Sequence, residues 1–120
     1  MPTDQPARSR LVSPRVRNAR DALLDGAASA LLQSVRDILC EHTRTQIVRV
    51  LSAGPLSVGD LAASLGRSKS ATSQHLRVLR DAGIVSARRR GRAVIYSLAS
   101  GPMVEVTVQV LNRAASLATA

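Results

Sequence analysis

Apolar positions recur along the chain at two periods, and the change from one to the other divides it into elements. From Val16 to Leu39, the residues Ala19, Leu23, Ala27, Ala30, Leu31, Val35, Ile38 and Leu39 fall at helical spacing. They predict one long helix with Gly26 as its candidate break. The Ala-rich stripe of this helix is broad, and packing into the local core or against a second copy both remain open. Ile47, Val48, Val50 and Leu51 predict a second helix within 43–53, which Gly54-Pro55 must end because proline cannot continue it. Ser57 stands as an N-cap with Asp60 three residues on, and Val58, Leu61, Ala62 and Leu65 form the apolar stripe of a third helix before Gly66. Ser68 caps a fourth helix over 69–82, and Gly83 supplies its stop.

Beyond Gly83 the period falls to two. Ile84–Arg88 and Ala93–Leu98 are β-rich runs joined around Arg89-Arg90-Gly91-Arg92, a glycine-containing tight hairpin. Two helices, a short turn and a hairpin predict a winged helix-turn-helix: mainly α with a small β-hairpin, the helix-turn-helix over 57–82 and the wing over 84–98. The last segment fits two patterns. Val104, Val106, Val108 and Val110 alternate with Glu105, Thr107 and Gln109 as in a strand. Val104, Val108, Leu111 and Ala115 also share one helical face, and the helix is preferred, in part on the resemblance described below. Residues 1–14, with three prolines, are expected to form a flexible basic arm, leaving 15–120 as a single domain.

Length and composition narrow the function. A chain of 120 residues can bury one core, which excludes two-domain enzymes. Its hydrophobic content of 45% is too high for a disordered chain, and no apolar run approaches the roughly 20 residues of a membrane span. No secretory signal is visible after Met1, so a cytoplasmic location is expected. Cys40, the sole cysteine, cannot form an internal disulfide or a cysteine-rich zinc site within one chain. With two histidines, no glycine-rich phosphate loop and no nucleophile–base pair, there is no catalytic residue to assign, and neither enzyme activity, metal nor cofactor is expected.

Charge adds the partner. The net +9 is localised: residues 67–92 carry Arg67, Lys69, Arg77, Arg80, Arg88, Arg89, Arg90 and Arg92 against Asp81, a net of +7. Residues 1–20 carry +4, and the remainder is slightly acidic. A basic segment within a folded region is the electrostatic footprint of a nucleic-acid surface, so double-stranded DNA is the expected partner. Around the fourth helix, Thr72, Leu76 and Leu79 share a buried face, while Ser70, Gln74, Arg77 and Asp81 point away from it. Because the N-terminal half of a recognition helix enters the major groove, Ser70, Ser73, Gln74 and Arg77 are the expected base-reading residues, with Ser68, Lys69 and His75 in support. Gln suits adenine N6 and N7, and Arg suits guanine O6 and N7. Arg88, Arg89, Arg90 and Arg92 crowd like charges at the hairpin tip, which contact with DNA backbone or minor groove would relieve.

In combination these residues resemble the ArsR/SmtB family of bacterial winged-helix repressors. The resemblance runs from about Leu39 to Leu98 and rests on His42-Thr43-Arg44 before Ile47-Val48, Leu56-Ser57-Val58-Gly59-Asp60-Leu61-Ala62, Ser73-Gln74-His75-Leu76, Leu79-Arg80-Asp81-Ala82-Gly83, and Arg90-Gly91-Arg92 leading to Tyr96-Ser97-Leu98. It implies a homodimer joined by terminal helices, a palindromic operator and repression relieved by an effector. The chain departs from the family's sensor sites. Leu56–Leu61 lacks the Cys-x-Cys pair of one metal-sensing class, the last helix lacks the His of another, and thiol sensors of the family use two cysteines. The effector is therefore unknown. Cys40 is a candidate redox sensor; the alternatives are a buried, inert thiol, or a thiolate that joins His42 in a zinc site completed across a dimer. A winged-helix module that binds protein partners is the alternative function.

Overall fold

The computed structural model describes residues 12–119, which fall into two compact units divided between Ala30 and Leu31. Residues 1–11 of the expected arm lie outside the described residues.

In the first unit, helix α1 (Pro14–Asp21) opens with Ser13, whose hydroxyl accepts from the Val16 N–H at 3.3 Å. Pro14 takes the first helical position, where a missing N–H costs nothing. Helix α2 spans Gly26–Leu39, and the Asp25 carboxylate accepts from the Ala28 N–H at 2.7 Å. The single helix expected from Val16 to Leu39 is thus two helices. The break lies at 22–25, and Gly26 is the first residue of α2 rather than the break itself. Asp25 offers the following N–H groups a local acceptor, which competes with continuation of the helix.

The second unit holds the end of α2, helix α3 (His42–Leu51), strand β1 (Leu56–Ser57), helices α4 (Val58–Leu65) and α5 (Lys69–Asp81), strands β2 (Val85–Arg90) and β3 (Ala93–Leu98), and helix α6 (Pro102–Ala118). Its core is built around α3. Ile47, Val48 and Leu51 pack with Leu61 of α4, Leu76 and Leu79 of α5, Ile84 just before β2, Val85 of β2 and Val104 of α6. Each such side chain contributes about 1.5–3 kcal/mol of transfer free energy on burial. Glu41 caps α3, Ser57 caps α4 and Ser68 caps α5, each accepting from the N–H three residues on. Gly66 ends α4 at φ +64°, a left-handed conformation that glycine adopts without Cβ strain.

The sheet is antiparallel in the order β1-β3-β2. β2 runs two residues beyond the expected Arg88, so Arg89 and Arg90 belong to the strand and pair with Val94 and Ala93. The turn reduces to Gly91-Arg92, with Gly91 at φ +63°, the first central position where a type II′ hairpin turn takes glycine. β1 is an additional short strand, pairing Leu56 with Tyr96 and Ser57 with Ile95. The helical reading of the last segment holds: α6 buries Val104 and Thr107, and the Thr107 hydroxyl donates to the Met103 carbonyl at 2.6 Å, which satisfies a polar group inside the core.

Candidate nucleic-acid interface

Helix α5 carries the first half of the candidate interface. Thr72, Leu76 and Leu79 are fully buried, as the angular reading expects, and the Thr72 hydroxyl donates to the Ser68 carbonyl at 2.8 Å. That one-sided burial decides which face of the helix turns outward. Lys69, Ser70, Ser73, Gln74 and Arg77 are all exposed, as is Ser68 at the cap. Ser68 Oγ accepts the Ala71 N–H at 3.1 Å, which leaves its own O–H available as a donor. Lys69 folds back over the first turn of α4: a Cβ placed on Gly59 would lie 3.3 Å from its Cε and 3.6 Å from its Nζ. Gly59 therefore makes room for the Lys69 stem.

The wing carries the second half. Arg88, Arg89, Arg90 and Arg92 are all exposed. Side chains alternate across a strand, so Arg88 and Arg90 share one face of the wing with Ser86 while Arg89 lies on the other with Val85 and Ala87. Ser86 Oγ and Ser97 Oγ sit 3.2 Å apart across the ladder. Asp81, at the far end of α5, is the acidic residue closest in sequence to this arginine group, and no carboxylate among the described residues lies within ion-pair distance of an arginine or lysine here. The face can take up phosphate without first breaking an internal salt bridge.

His75 lies apart from this exposed set. It is half-buried on the flank of α5, and its Nδ1 lies 3.6 Å from Glu41 Oε2. The same carboxylate oxygen accepts the Arg44 N–H at 2.8 Å. That hydrogen bond holds the Glu41 carboxyl below its ordinary range, the charges of His75 and Arg44 act in the same direction, and partial burial opposes them. Glu41 is not singled out by the sequence, where it is one more acidic residue before a helix; its role is visible only once α5 is folded against α3.

Cys40 is exposed rather than buried, because it follows the last turn of α2 where the chain leaves the core. Its thiol donates to the Asp37 carbonyl at 3.2 Å. It borders a largely apolar, open cavity of about 320 Å³ with Leu32, Val35, Arg36, Leu39 and Val110. His42 Nε2 lies 3.3 Å from the Gln46 amide nitrogen. Among the described residues no three of His, Cys, Asp and Glu come together as a metal site.

A helix pair jointed at a glycine turn, a two-stranded wing and an unneutralised basic surface define a winged helix-turn-helix DNA-binding regulator. Residues 41–87 match the family model described as bacterial regulatory protein, arsR family. The regulator NmtR of Mycobacterium tuberculosis is 44% identical over 82 residues, covering 68% of each chain. The structure of HlyU from Vibrio cholerae superposes with a TM-score of 0.66 at 35% identity, over 74% of this chain and 96% of that one. The homodimeric winged helix-turn-helix DNA-binding domain Mb0332 from Mycobacterium bovis superposes with a TM-score of 0.61 at 27% identity, over 82% and 90%. The chain belongs to the ArsR family and is a DNA-binding transcriptional regulator, not an enzyme.

Proposed function

We propose that the chain acts as a homodimeric repressor of a palindromic operator, in the cytoplasm. The observation that carries this reading is the exposed set Ser70, Gln74 and Arg77 opposite the buried face of α5, with Ser73 exposed on its flank, followed in the chain by an arginine wing without acidic partners. Two α5 helices related by a two-fold axis enter successive major grooves about 34 Å apart. Ser70, Ser73, Gln74 and Arg77 meet base edges; Ser68, Lys69 and the wing arginines meet the backbone and flanking groove. The homodimeric state described for the Mycobacterium bovis domain supports pairing of two copies, with the terminal helices as the contact.

The effector is unidentified, and Cys40 is its candidate receptor as an exposed thiol beside an apolar cavity. The test is titration of the purified protein against an operator selected from genomic fragments, over a range of salt. Log affinity falls with log salt by about 0.9 per phosphate neutralised; a fragment-independent affinity, or one insensitive to salt, overturns the reading. Repeating the titration with peroxide tests the thiol: release from the operator that disappears in Cys40→Ser supports it, and release that persists in Cys40→Ser removes it.

A further inference from the structure

Thr72, Leu76 and Leu79 fix how deeply α5 sits, but apolar contacts are non-directional and tolerate small rotations about the helix axis. Rotation matters at the reading face. A side-chain tip about 6 Å from the axis moves roughly 1 Å for each 10°, enough to spoil a bidentate contact with a base edge. At the flank of α5 a single point contact, off the helix axis, links His75 to Glu41 at ion-pair distance, 3.6 Å from Nδ1 to Oε2, with the two side chains 24% and 34% exposed. Its far end is anchored, because the same Oε2 accepts the Arg44 N–H at the start of the core helix α3. His75 precedes the buried Leu76 and follows Gln74, so its position bears directly on where Gln74 points.

We propose that Glu41 is a positioning residue for sequence readout: through His75 it fixes the rotation of α5, and so sets operator preference without touching DNA. The inference rests on the groove placement of α5 given above. The elements packed against α5 are α3, α4 and β2. Besides Glu41, α3 brings Arg44, whose Nε is buried without a hydrogen-bond partner, and His42, which is turned to Gln46. The charged residue of α4 is Asp60, the charges of β2 are Arg88, Arg89 and Arg90, and α5 itself adds Lys69, Arg77, Arg80 and Asp81. Among the described residues Glu41 is the carboxylate within ion-pair distance of His75.

The experiment compares the full chain with Glu41→Asn, which keeps a capping acceptor but loses the charge, with His75→Gln, with the double variant and with Gln74→Ala. Each is titrated against the operator and against random DNA of equal length. Each single substitution lowers the operator-to-random ratio about two- to fivefold, in the range of a partly exposed ion pair. The double variant falls no further than either single one, and Glu41→Asn leaves affinity for random DNA unchanged. Equal losses on both DNAs would mark a merely structural role and overturn the proposal. A His75→Gln effect that also lowers the salt slope, with Glu41→Asn silent, would mean that the imidazole contacts phosphate and overturns it too. If Gln74→Ala lowers the ratio while the Glu41 and His75 variants do not, the positioning role fails alone; if Gln74→Ala leaves the ratio unchanged, the groove placement fails and the positioning role with it.

Discussion

Leu56 pairs with Tyr96 across two antiparallel strands, immediately before the residue that caps α4. Ser57 belongs to both structures: it pairs with Ile95, and its hydroxyl accepts the Asp60 N–H at 3.2 Å. The wing and the first helix of the helix-turn-helix are thereby joined through two residues. Ser57→Ala should lower stability by about 1 kcal/mol, the usual cost of an N-cap, as read by denaturant unfolding. A loss below a few tenths would show that the cap is dispensable.

Leu76 and Arg77 are neighbours in sequence with opposite surroundings, one fully buried and one exposed. Leu76→Ala is expected to cost about 2–5 kcal/mol of stability. Arg77→Ala should leave the unfolding free energy within about 0.5 kcal/mol while weakening operator binding. Unfolding curves and operator titrations on the same two preparations check both halves.

The contrast between these neighbours was legible in the sequence because a helix repeats its faces at a fixed angle: Thr72, Leu76 and Leu79 are the residues that the structure buries on α5. The caps at Ser57 and Ser68 were equally legible, since short polar side chains ahead of an apolar stripe have few other uses. β1 was not, because two residues carry no periodicity and are held by a partner forty positions away. The extent of β2 is hidden for a related reason: arginines at a hairpin tip look like loop, and cross-strand pairing with β3 makes them strand. The break in the first long helix lies at 22–25, set by the local capping contact of Asp25, and not at the glycine that follows. Glu41 illustrates the remaining gap, since its contact with His75 spans two helices.

Gln74 and Arg90 should separate preference from affinity. Gln74→Ala is expected to remove about 1–3 kcal/mol of discrimination between operator and random DNA, the worth of one bidentate base contact. Arg90→Ala should weaken both DNAs alike and reduce the salt slope by about 0.9. If Arg90→Ala changes preference and leaves the slope, the wing reads sequence instead of backbone.

Acid should unsettle the start of α3. The Glu41 carboxyl is held below its ordinary value of 4.5, first by the Arg44 N–H and then by nearby positive charge. A carboxylate favoured in the folded state adds stability that is fully present above pH 4.5 and is lost as pH falls through the lowered value. Unfolding midpoints followed from neutral pH into that acidic range should therefore drop more steeply for the natural chain than for Glu41→Asn. Parallel curves would show that the acid sensitivity arises elsewhere.

The pleat of β2 divides the wing arginines, with Arg88 and Arg90 on one side and Arg89 on the other. A blade charged on both sides can meet phosphate with either of them. Contacts of that kind survive translation along a uniform polyanion, which lets a protein slide between stretches of DNA without letting go. On the proposed reading of the wing as a DNA contact, the arrangement bears on how quickly a site is found, a quantity of kinetics separate from final occupancy.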